Sequence, residues 1–343
     1  MGCQFEIFLP AGEYPQALEA VLEAFGLAEE LEQKLSIFLP ESEISRINRR
    51  AHEEWVPTSE PVFALLQECT RISEQTEGAF DITASPLWRL WGFARKERVF
   101  PSQGEISSAL QSVGYKKVCL DPDSRSVRFA ASGMELNLGA IGKGYALDRM
   151  GQLLRQKGIE IFLLTAGYSS VLASSANFAH KSPDDEGLRP REPAGKTFTS
   201  GIGGSSGTNR PWLWEVGIRD PLRPGRRVAV IKINEGALGT SGSAHQFFRH
   251  EGRRFSHVID PRTGCPVEKI LSVTVRAQTA CIADALSTAF YILGPDWAQD
   301  FCRKYSEVSA LFALAAQKPP GYEWRAVGAW PQEASPSLTP QAE

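Results

Sequence analysis

An excess of charge of one sign is the first thing this sequence lacks: 37 Lys and Arg stand against 40 Asp and Glu, a formal net charge of −3 over 343 residues. With no global basic field, a nucleic-acid partner or an anionic membrane surface is not expected. No apolar run reaches the ~18 residues of a membrane-spanning helix. The opening residues MGCQFEIFLPAGEY contain neither the basic nor the hydrophobic region of a signal peptide. As written the chain is expected in the cytoplasm, or in the periplasm or on a membrane anchor if its start is truncated. Gly2 suggests no myristoylation, because Glu6 stands where that motif wants Ser or Thr. The six cysteines form no CxxC pair, which argues against a zinc ribbon and a disulfide framework and leaves reduced thiols. Histidine is scarce too, yet three of the five, His245, His250 and His257, fall within residues 238–266.

What is present is a globular composition, 42% hydrophobic, long enough for one large or two medium domains. Residues 4–9 alternate weakly as a first strand. Leu18, Val21, Leu22, Phe25, Leu31 and Leu35 then recur at helical spacing. A loop over residues 35–48 holds Phe38. Thr58-Ser59-Glu60-Pro61 opens a second helix, marked by Val62, Leu65, Leu66, Cys69 and Ile72 and stopped at Gly78. The turn Ala79-Phe80-Asp81-Ile82-Thr83 follows. It suits a capping Asp81 beside core tryptophans, with a ligand edge as the alternative.

Residues 126–129 and 134–138 predict a hairpin around Ala-Ser-Gly. The second arm runs into LGAIGKGYALD (138–148), a glycine turn opening a helix to about residue 157. Unpaired amides and the helix dipole make such a start a good anion site, though the glycines serve close packing equally well. The spacing matches neither a P-loop nor a Rossmann fingerprint. A buried strand is expected over 159–164, and a polar surface insertion over about 174–210. The GIGGSSG within that insertion has no strand before it or helix after it. Residues 214–218, 228–233 and 271–276 predict a second sheet region holding the 238–266 loop, and 308–314 a final strand. One domain over 1–316 with a poorly ordered tail over 317–343 is the expectation.

Residues 280–293, ACIADALSTAFYIL, place Ile282, Leu286, Ala289, Phe290 and Leu293 on one helical arc. The opposite arc, which water would normally fill with charges, carries Cys281, Ala285, Ser287 and Tyr291 around a single acid, Asp284, with Thr288 one turn on. A helix buried on both sides follows. An isolated buried carboxylate is costly, so Asp284 is expected protonated, paired with a base, or bound to a metal. Asp plus a threonine hydroxyl suits a hard cation such as Mg2+. An Asp bonded only to Thr and backbone amides is the alternative.

Taken together, MGCQFEI (1–7), SEISRIN (42–48), FDIT (80–83), LGAIGKGYA (138–146), TSG (240–242), HVIDPRTG (257–264) and DALSTA (284–289) closely resemble the ApbE family, the FAD:protein FMN transferases. The resemblance implies an α+β fold of two interlocked mixed lobes with largely antiparallel sheets. It implies a Mg2+-dependent enzyme that transfers FMN from FAD to a Ser or Thr hydroxyl of an acceptor flavoprotein and releases AMP. By the same resemblance, FAD would be contacted at Met1, Phe38, Ala79, Phe80, Asp81, Asn137, Lys143 and Val258. The metal would be held by the Ala140 carbonyl and the side chains of Asp284 and Thr288. His257 would accept the hydroxyl proton or hydrogen-bond the pyrophosphate. The family usually has Asp at Asn137, a Gly-Gly pair at Gly167-Tyr168, and Tyr at Phe38. Two other activities fit the same residues: an FAD pyrophosphatase giving FMN and AMP, and an FAD-binding protein with little catalysis.

Overall fold

The computed structural model describes residues 2–94, 99–175, 212–223, 225–243, 247–250, 253–316 and 321–331. The chain opens with strand β1 (Phe5–Phe8) and helices α1 (Ala17–Leu35) and α2 (Glu43–Arg50), then β2 (Val56–Pro57) and α3 (Glu60–Gln75). Short helices α4 (Ser85–Leu90) and α5 (Gln103–Leu110) precede a hairpin of β3 (Val118–Asp121) and β4 (Ser126–Phe129). Helix α6 (Gly142–Gln156) leads to β5 (Phe162–Ala166) and β6 (Ser170–Ser174). A second hairpin, β7 (Trp214–Arg219) and β8 (Arg227–Ile233), leads to β9 (Gly236–Gly242). Strand β10 (Phe247–His250) pairs with β11 (Arg253–Ser256), and β12 (Ile259–Asp260) with β13 (Cys265–Pro266). The chain continues through β14 (Ile270–Ala277), α7 (Ala280–Leu293), α8 (Pro295–Lys304), β15 (Ser309–Ala315) and β16 (Tyr322–Gly328).

The spine is a seven-stranded sheet in the order β1-β5-β6-β9-β14-β15-β16, antiparallel at every pairing. Helix α7 lies on β9 and β14, α6 on β5 and β6, and α1 on α6. The other face is covered by the β7–β8 hairpin, whose Trp214, Val216, Ile218, Ile231 and Ile233 cluster with Leu163, Leu238 and Leu311. A second lobe gathers α4, α5 and their surroundings around Leu87, Trp91, Ile106 and Val113. Phe255 and Ile259, from the excursion between β9 and β14, complete that cluster and interlock the lobes. The fold is α+β, as expected. No helix among the described residues is long and apolar enough to cross a membrane.

Four expectations are corrected. In α1 the core takes Ala20, Ala24, Ala28, Leu31 and Leu35, while Leu18 and Leu22 are exposed. Alanines at i, i+4, i+8 form a ridge thin enough for α1 to lie close on α6, which leucine would prevent. Residues 134–138 form no strand, and β4 pairs instead with β2 and β3. The Asn48 side chain acts as a substitute partner: its Nδ2 donates to the Leu136 carbonyl at 3.0 Å and its Oδ1 accepts from the Leu136 N–H at 2.8 Å. Strand β14 joins the large sheet between β9 and β15, so it shares no sheet with β7 and β8. The expected tail is structured at β16, which pairs with β15 over seven residues and buries Val327. The expected insertion falls mostly on residues 176–211, outside the described residues, as do Met1 and His245.

Candidate active site

Helix α7 starts where the sequence places it, with the Thr279 hydroxyl accepting from the Ile282 N–H. Its first amides are anchored from outside: the Asp148 carboxylate on α6 accepts from the N–H groups of Ala280 and Cys281, both at 2.8 Å. Two helices meet here at backbone distance. Asp284 then points into the junction, 5% exposed. It accepts from the Gly144 N–H at 2.8 Å and from the Ser170 hydroxyl, which lies 2.8 and 2.9 Å from its two oxygens. Burial pushes its carboxyl up to about 6; the Lys143 ammonium, Ser170 and Gly144 oppose that rise without cancelling it.

Gly144 lies in the first turn of α6, where N–H groups find no helical carbonyl, and Asp284 supplies the acceptor for this one. The Ala140 carbonyl, just ahead of the helix, takes no helical N–H either and lies at the cavity wall. The hydroxyls on α7 are ordered in a comparable way. Ser287 donates to the Asp284 carbonyl at 2.8 Å, so its contact with Ser241 at 2.8 Å must take the Ser241 proton. Ser241 in turn, at 3.2 Å, accepts from Thr288, whose lone pairs remain for a ligand. Asp284, Thr288 and the Ala140 carbonyl line one cavity, an oxygen-only set that fits a hard cation. Among the described residues no three His, Cys, Asp or Glu side chains cluster as a metal site, and within this oxygen set the acid is Asp284.

That cavity holds about 530 Å³, within the range of small-molecule sites. Ala79, Phe80, Asp81, Asn137, Lys143, His257 and Val258 line it along with the cation set. Asp81 fixes its own turn, accepting from the Thr83 N–H (2.8 Å) and hydroxyl (2.6 Å) and the Tyr115 N–H (2.7 Å). Of the two uses foreseen for this turn, the capping Asp81 is present, and the turn borders the cavity. Asn137 Oδ1 accepts from the Gly139 N–H at 2.9 Å and shapes the glycine turn ahead of α6. His257 and Val258 are aimed by the turn that follows them. There Arg262 clamps Asp260 through two bonds of 2.8 and 2.9 Å, and Trp91 Nε1 holds the Gly264 carbonyl at 2.8 Å.

Phe38 is not among the residues lining the cavity; it stands 79% exposed in the loop before α2. Ser170, Ser241 and Trp88 belong to the site without having been assigned roles from sequence, whereas the Gly144 N–H lies in the helix start expected to offer amides. Only Ser241 carried a signal, lying within the TSG motif; a lone serine opening a short strand, as Ser170 does, carries none.

The ApbE family model matches residues 1–181 and 193–312. The FAD:protein FMN transferase of Escherichia coli strain K12 is 31% identical over 279 residues, 80% of this chain and 70% of that protein. That of Treponema pallidum is 29% identical over 310 residues, 88% of this chain and 78% of its own. The crystal structure of the ApbE protein from Thermotoga maritima shares the fold with a TM-score of 0.74 at 26% identity, covering 94% of this chain and 97% of that one. The flavin transferase ApbE from Vibrio cholerae gives 0.73 at 23% identity, covering 95% and 94%, a likeness of fold. On the family match across most of its length and the ordered motifs that converge on one cavity, the chain belongs to the ApbE family.

Proposed function

We propose that the protein is a Mg2+-dependent FAD:protein FMN transferase, moving FMN from FAD to a Ser or Thr hydroxyl of an acceptor protein and releasing AMP. The observation that carries this is the convergence of a buried acid, an open backbone carbonyl and an ordered threonine oxygen opposite Lys143 and His257 in one cavity. In the reaction the acceptor oxygen attacks the FMN-side phosphorus, the bond to the bridging oxygen breaks, and AMP leaves with that oxygen. The hydroxyl proton passes to His257. Lys143 donates to the pyrophosphate oxygens as charge shifts toward the leaving group. A cation held by Asp284, Thr288 and the Ala140 carbonyl would neutralise the same charge. Incubation with FAD, Mg2+ and an acceptor protein should give FMN-modified acceptor and AMP in equal amounts. FMN and AMP formed equally fast without acceptor would mark a hydrolase instead.

Two expected outcomes follow from the site. To hold a cation the Asp284 carboxyl, pushed up to about 6, must be deprotonated. Mg2+ affinity should therefore be level above about pH 6 and fall roughly tenfold per pH unit below it. Calorimetric titrations at acid and neutral pH check this, and a pH-independent affinity removes Asp284 from the ligand set. Phe38, exposed and outside the core, is a free stacking face. Phe38→Ala should weaken FAD binding about fivefold, from a stacking contribution of about 1 kcal/mol, with an unchanged melting temperature. Equal FAD affinity, measured by flavin fluorescence, would remove Phe38 from the FAD contacts.

A further inference from the structure

A second, smaller cavity of about 190 Å³ lies across the end of the sheet, between its outer face and the β7–β8 hairpin. Val216 and Ile218 form its apolar side, Ser272 and Thr274 a hydroxyl-bearing side, and Tyr168 and Arg219 its rim. Ser169, Thr240 and Gly242 are common walls of this cavity and the reactive one. The two therefore meet around the ends of β6 and β9, and whatever occupies the smaller cavity reaches the reactive one over that wall.

The hairpin that supplies the rim residue Arg219 is cationic: Arg219, Arg223, Arg226 and Arg227 fall within its turn, in a chain whose net charge is −3. The single acid in the turn, Asp220, is buried and directed inward. It accepts from the N–H groups of Leu222 (2.8 Å) and Arg223 (3.1 Å) and lies near the Tyr322 hydroxyl. Among the described residues none of the four arginines forms an ion pair. Arg219 instead lies over the exposed Tyr168 ring, its guanidinium carbon 3.6 Å from the centroid. A cluster of guanidinium groups on the hairpin that edges a cavity is an electrostatic complement for carboxylates.

We propose that this groove docks an acidic segment of the acceptor polypeptide, the hairpin arginines taking its carboxylates while the shared wall of Ser169, Thr240 and Gly242 passes its hydroxyl residue into the reactive cavity. The proposal rests on the transfer reaction above. A polypeptide is favoured over a lipid surface because the cavity is small, about 190 Å³, and shares its walls with the reactive one. An extended chain can follow that path while presenting a side chain, and a bilayer cannot.

The test uses the full chain and two fluorescent peptides, each with a central threonine, one flanked by aspartates and one by lysines. Fluorescence anisotropy should show the aspartate peptide binding at least about tenfold tighter than the lysine peptide, an advantage lost in high salt. Combined Arg223→Glu and Arg226→Glu should remove that advantage while leaving FAD binding and melting temperature unchanged, since both side chains are exposed. Equal binding of the two peptides, or an aspartate preference that survives the double reversal, overturns the proposal. Binding of the wild type to phosphatidylglycerol vesicles without binding of the aspartate peptide overturns it in favour of a lipid surface. Binding is measured apart from transfer, so an aspartate peptide that binds but receives no FMN counts against the transferase reaction and not against the groove.

Discussion

Asp284→Asn is expected to lower cation-dependent transfer by roughly 10²–10³-fold while melting no lower than the wild type in EDTA at neutral pH. The two halves of that result have one cause. Folding lifts the Asp284 carboxyl from 3.8 to about 6, chiefly through burial. Between those values the native chain holds a proton that the unfolded chain has released, so stability contributed by this group is greatest below about pH 4. It is lost as pH rises to about 6. At about 1.36 kcal/mol per unit, the two units amount to about 3 kcal/mol of destabilisation carried at neutral pH. Asn keeps an acceptor for the Ser170 hydroxyl and the Gly144 N–H but removes the charge, so it should relieve up to that amount.

Adding Mg2+ restores the balance for the wild type alone, because a ligand that binds only the native state raises its stability. The check is a set of thermal melts across pH with EDTA or Mg2+. The wild type should lose stability from pH 4 to 6 in EDTA and recover it in Mg2+, while the variant shows neither change at this group. A variant that melts well below the wild type in EDTA would make Asp284 a structural acid.

How much of this was legible follows from what each residue depends on. Asp284 and Thr288 stood out because α7 has almost no charge on either face, a property of its own sequence. The α3 start was legible through Ser59 and Pro61, again local. Strands β6 and β9 were not, though they lie at the centre of the sheet: SVLAS and GALGTSG lack the β-branched runs that mark a strand. They are strands because their neighbours demand small residues. Strand β9 carries α7 so closely that a Cβ on Gly239 would stand 2.3 Å from the Ala283 carbonyl carbon. Likewise nothing in 134–138 announces that Asn48, far away in sequence, takes the place of a partner strand. Local chemistry was readable, and partnership between distant segments was not.

The sharpest case of such partnership is Gly144, and Gly144→Ala is expected to cost about 2–4 kcal/mol of stability and most of the activity. A Cβ there would lie 2.1 Å from the Ala280 oxygen, 2.4 Å from its carbonyl carbon and 2.7 Å from the Cys281 nitrogen. All three are backbone atoms at the start of α7, pinned by Asp148, so no rotamer change relieves the contact. Helix α7 must retreat by roughly 1 Å, and with it goes Asp284, away from the Gly144 N–H and the open Ala140 carbonyl. A displacement of that size in a catalytic array costs about 10²-fold in rate. Gly26→Ala separates this from any general effect of replacing glycine in a helix. Gly26 lies inside α1 with nothing within 4 Å of an added Cβ, and alanine there should stabilise by about 0.5–1 kcal/mol. Melting curves and transfer rates of the two variants test the argument together. If Gly144→Ala keeps wild-type stability and rate, α6 and α7 have room between them, and the glycine turn is there for its exposed amides rather than for backbone contact.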